Sequence, residues 1–180
     1  MKFLVAITLV LICPRLVLAG LKWHEFGTTN EGGSFVANKI SVTVDTNTEQ
    51  DRNEGFWCDH LVLTVKMPGE KPLEKWFDST YGYGAVAIQD HLLFLRYGVG
   101  RGTCAREEHV QILRLEGLEE LADVKTSYYV ANDSAPDPDL VAYKMKVKTG
   151  KGYTNVIFRL PTPIPNLPRE KIVRIKNESL

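Results

Sequence analysis

Apolar and polar residues alternate along most of the chain. In NKISVTVDT, Ile40, Val42 and Val44 fall on one side and Lys39, Ser41 and Thr43 on the other. HLVLTVKM repeats the pattern with Leu61, Leu63, Val65 and Met67, and LVAYKMKVKT repeats it with Val141, Tyr143, Met145 and Val147 against Lys144, Lys146 and Lys148. A period of two with one wet face predicts half-buried antiparallel strands. GAVAIQDHLLFLRYG departs from this by being apolar on both faces around an expected turn at Gln89-Asp90, which predicts a hairpin through the centre of the fold. EHVQILRLEGLEELADV predicts a second hairpin turning at Glu116-Gly117, and KVKTGKGYTNVIFRL a third turning between Thr149 and Gly152.

Helix has little room in such a pattern. LEGLEELADVK is the one candidate, and Gly117 interrupts it early. The expected architecture is all-β: a single antiparallel β-sandwich or barrel-like domain of consecutive hairpins, with at most one short helix. A propeller-like meander is the alternative, although no repeat at fixed period supports it. Pro161, Pro163, Pro165 and Pro168 predict an extended C-terminal segment over residues 161–180 that ends in an edge strand.

The first nineteen residues change the picture of where the protein works. Lys2, an apolar run from Phe3 to Ile12 and Val17-Leu18-Ala19 have the layout of a cleaved secretory signal. Pro14 and Arg15 cut the run short of the roughly 20 residues that span a bilayer, so no stable membrane insertion is expected after cleavage. The expected product is a secreted or periplasmic domain over residues 20–180. Twenty-two basic and 22 acidic residues balance in the full chain; removing Lys2 and Arg15 leaves 20 against 22, a charge of −2. That gives no general attraction to nucleic acid. Cys58 and Cys104 remain, and an even pair in an exported chain predicts a disulfide. Asn132 and Asn177 begin Asn-x-Ser sequons, glycan acceptors in a eukaryotic secretory pathway.

Several familiar chemistries fit poorly. GVGRG has Gly-x-Gly but lies between two expected strands, without the helix N-terminus that phosphate loops use. Cys58, His60, Cys104 and His109 do not have zinc-knuckle spacing, and no His-Glu-x-x-His or Gly-x-Ser-x-Gly motif occurs. In DTNTEQDRNE, Asp45, Asn47, Glu49 and Asp51 alternate as in a calcium loop, but Gln50 and Phe56 stand where glycine and glutamate belong. No metal, cofactor or catalytic residue is expected.

The remaining candidates are aromatic. Trp23, Trp57, Trp76, Tyr81 and Tyr83 are expected in or near glycine-rich loops, where rings give contact area at low entropic cost. With the Cys58–Cys104 bond, Trp57 and Arg101 would share a rim suited to an anionic or sugar-like ligand. The expected function is an exported binding protein, for example a periplasmic inhibitor or immunity-type module for a protein partner. A carbohydrate-binding module is the first alternative, and a hydrolase pairing His60, His91 or His109 with Asp59, Glu107 or Glu108 is the second.

Overall fold

In a computed structural model of the chain, residues 21–26, 33–45, 60–78, 80–99, 107–130 and 139–177 are described. They form fourteen strands: β1 (His24–Phe26), β2 (Gly33–Ala37), β3 (Ile40–Asp45), β4 (His60–Lys66), β5 (Leu73–Asp78), β6 (Thr80–Gln89), β7 (Leu92–Val99), β8 (Glu107–Arg114), β9 (Glu120–Lys125), β10 (Ser127–Val130), β11 (Asp139–Ala142), β12 (Lys144–Thr149), β13 (Tyr153–Arg159) and β14 (Glu170–Lys176). Every pairing is antiparallel. The molecule is all-β and sandwich-like, built from consecutive hairpins, and its sheets are open rather than closed into a barrel. Among the described residues there is no helix, and none is long and apolar enough to cross a membrane.

Three sheets stack, in chain order apart from β1. The first is β2-β3-β4-β5, the middle one β1-β6-β7-β8-β9 and the last β12-β13-β14, with β10-β11 as a separate pair. Val42, Val44, Leu61, Leu63 and Phe77 of the first sheet pack on Val86, Leu93, Leu95, Tyr97 and Leu113 of the middle sheet. The opposite face of the middle sheet presents Ala87, Leu92, Phe94, Val110 and Ile112 to Val156, Phe158 and Ile175 of the last. This is why residues 84–98 are apolar on both sides: the β6–β7 hairpin is covered above and below.

Four local expectations are corrected. The central turn is Asp90-His91, one residue later than expected, with Gln89 paired to Leu92 and Asp90 at a φ of 54°. Lys39 belongs to the β2–β3 turn, where Asn38 and Lys39 both have positive φ, a conformation that matches strand twist in two-residue hairpins. The helix candidate is instead the β8–β9 turn and strand β9. LVAYKMKVKT is two strands of different sheets, β11 and β12, divided at Tyr143, whose N–H bonds Thr126 O. Beyond these, the proline-rich segment expected to run extended over 161–180 turns instead at Ile164–Leu167, where Leu167 N donates to Ile164 O and Asn166 has a φ of 65°, before residues 170–176 form β14, paired with β13.

Candidate functional site: the outer face of the last sheet

Three of the aromatic candidates, Trp76, Tyr81 and Tyr83, lie in strands rather than in the loops expected for them. Trp76 lies on β5, half exposed, opposite Val62 on the outer face of the first sheet. Tyr81 and Tyr83 belong to β6 in the middle sheet. Trp23 packs into the second core, with the Arg96 guanidinium 5.4 Å from its ring. Trp57, Cys58, Arg101 and Cys104 lie outside the described residues, as do Asp59 and residues 46–56 and 131–138. Among the described residues, no three of His, Cys, Asp and Glu converge as a metal-binding set.

A histidine–carboxylate contact occurs at β7–β8–β9, but its close partner is Asp123, not one of the carboxylates expected for it. His109 Nδ1 sits 2.8 Å from Asp123 Oδ1, and Tyr97 Oη donates to Asp123 Oδ2 at 2.6 Å. Because an ionised carboxylate only accepts, Nδ1 carries the proton, and Nε2 faces Glu107 Oε2 at 3.9 Å. Lys125 holds the other Glu107 oxygen at 2.5 Å and lowers that carboxyl's pKa. Burial acts to raise the Asp123 pKa, but the hydrogen bonds from His109 and Tyr97 and the His109 charge outweigh it and lower it. Burial, reinforced by the Asp123 hydrogen bond and the Asp123 and Glu120 charges, pushes the Tyr97 phenol well up. Alongside, Gln111 is buried and donates to Glu120, while its Oε1 has no partner among the described residues. The described polar contacts of His109, Glu107 and Asp123, include no hydroxyl or thiol for it to activate.

A larger feature escaped the sequence reading. Alternation buries Met145 and Val147, Val156 and Phe158, and Val173 and Ile175 of β12, β13 and β14 against the second core. The intervening residues all point outward, and the register lines them up in rows across the three strands. One row is Lys144, Arg159 and Glu170; the next is Lys146, Ile157 and Ile172; the third is Lys148, Asn155 and Arg174; Tyr153 and Lys176 complete the face. It carries six cations against one acid, a formal charge of +5 on a chain whose total is zero.

Little on the face itself neutralises that charge. Arg159 pairs with Glu170, and the Arg174 guanidinium stacks 3.9 Å from the exposed Tyr153 ring. No acidic partner accompanies Lys144, Lys146 or Lys148 among the described residues. Those three lysines, with Met145, Ile157 and Arg159, line a shallow cleft of about 260 Å³. Ile172, 56% exposed, sits beside Ile157 in the middle of the charge. An apolar centre inside a charged rim is the layout of a docking surface. The lysine alternation was visible in the sequence; Arg159, Arg174 and Lys176 join it only through strand pairing. Comparison of the chain with protein-family models, with curated proteins and with solved structures finds no match.

Proposed function

We propose that this is an exported binding protein that engages an acidic protein partner through the outer face of β12–β14. The observation that carries the reading is the concentration of six cations around the exposed Ile172 and the half-buried Ile157 beside it. Cations spaced two residues apart along a strand lie about 6.7 Å from one another, and paired residues on neighbouring strands about 4.8 Å apart. Carboxylates on a partner can meet several of them at once, while an apolar side chain covers the isoleucines. On this reading export is secretory or periplasmic, and the domain is closed by a Cys58–Cys104 disulfide.

The test uses poly-glutamate as an acidic polypeptide and an uncharged polysaccharide as a glycan probe. Poly-glutamate should bind, weaken steeply with added salt, and bind at least about tenfold less tightly to Lys144→Gln/Lys146→Gln/Lys148→Gln. Binding of the polysaccharide alone, unaffected by these substitutions, would replace the acidic-partner reading with the carbohydrate one.

A further inference from the structure

Resting on the docking reading just given, we propose that the acidic partner binds as an extended strand that pairs with the outer edge of β14. Among the described residues β14 is the terminal strand of the last sheet and pairs only with β13. The direction of its backbone groups follows from two hydrogen bonds at the ends of the ladder. Asn177 N donates to Gly152 O, and Leu160 N donates to Arg169 O. Paired residues in an antiparallel ladder alternate between bonded and non-bonded positions, so Lys171, Val173 and Ile175 face β13. Glu170, Ile172, Arg174 and Lys176 therefore aim their N–H and C=O groups away from it.

These same residues carry the side chains of the outer face. A strand laid along β14 would make main-chain bonds to Ile172, Arg174 and Lys176 and set its own outward side chains beside Arg174 and Lys176. Carboxylates suit those positions. Its inward side chains would lie beside Lys171, Val173 and Ile175 at the rim of the second core, where apolar residues suit the two aliphatic neighbours. The fitting chemistry is thus an extended segment with acidic residues at every second position and apolar residues between them. The opposite edge, β12, is flanked by Lys144, Lys146 and Lys148, the kind of lysine protection that discourages strand addition, whereas β14 offers the exposed Ile172. A second copy of this chain is disfavoured, because joining two β14 edges would place two +5 faces side by side.

A capped heptapeptide alternating Glu and Val is the probe, measured by fluorescence polarisation against the full-length exported protein. It should bind, whereas the same peptide N-methylated on alternate residues should bind about tenfold more weakly or worse, having lost the donors and space that an edge requires. Ile172→Pro removes an N–H directed away from β13 and should produce the same loss while the circular dichroism spectrum is kept. Equal binding of methylated and unmethylated peptides would overturn strand addition, and retained poly-glutamate binding would leave the face reading standing. Failure of both the peptide and poly-glutamate would overturn both. A dimer in sedimentation that Ile172→Pro dissolves, with no peptide binding, would assign the edge to a second copy and overturn the proposal.

Discussion

Asp123 shows how much one residue holds together at the end of the middle sheet. Its two oxygens fix Tyr97 and His109, and the Tyr97 phenol is buried beside the Phe77 ring, with centroids 5.7 Å apart. The Asp123 pKa is lower in the folded chain than in the unfolded one. Its contribution to stability is therefore fully present above the unfolded value near 4 and is lost as pH falls through the folded one. Asp123→Asn should cost about 1–2 kcal/mol at pH 7, since a bond to a charged acceptor becomes a weaker neutral one. The same substitution should flatten the decline in stability as pH falls below about 4, measured by urea unfolding at successively lower pH. An unchanged acid slope would mean that other carboxylates govern the transition. The sequence reading compared His109 with Glu107 and Glu108 but passed over Asp123, which is fourteen residues away and meets His109 only because β8 pairs with β9.

At the scale of elements, alternation located the strands well and their partners poorly. The one-sided segments became β3, β4 and β12, and the two-sided segment became the covered hairpin β6–β7. Alternation carries no information about which strand lies beside which, so the basic face of β12–β14 and the division at Tyr143 stayed hidden. The two-sided hairpin adds another difficulty. A one-residue slip exchanges one apolar face for another, so hydrophobicity alone sets its register weakly. Gly84 supplies a steric constraint. A Cβ placed there would lie 2.0 Å from Arg96 O and 2.9 Å from Phe26 Cζ, so the paired backbones of β6 and β7 would have to part. Gly84→Ala should destabilise by about 2–3 kcal/mol, lowering the thermal midpoint by roughly 5–10 °C. Gly150→Ala, whose added carbon would sit 3.5 Å from Tyr153 O, serves as the control and should change stability by less than about 0.5 kcal/mol. Equal effects at the two sites would show that close backbone approach does not set the register.

For the whole molecule, the proposed Cys58–Cys104 bond would link the chain just before β4 of the first sheet to the chain just before β8 of the middle one. Closing a loop of that length stabilises by about 4 kcal/mol in the chain-entropy model, so Cys58→Ser/Cys104→Ser should lower the thermal midpoint by roughly 10 °C. Non-reducing peptide mapping that finds two free thiols would refute the bond. Stacking in chain order also bears on synthesis. As the polypeptide emerges from its N-terminus, the first sheet is available to cover one side of the middle sheet as soon as that sheet pairs. The other side, with Leu92, Phe94, Val110 and Ile112, lacks most of its cover until residues 144–176 follow. A chain halted before β12 would therefore expose a broad aliphatic surface to water, and nascent chains of this kind are the ones that chaperones must hold until their last strands arrive.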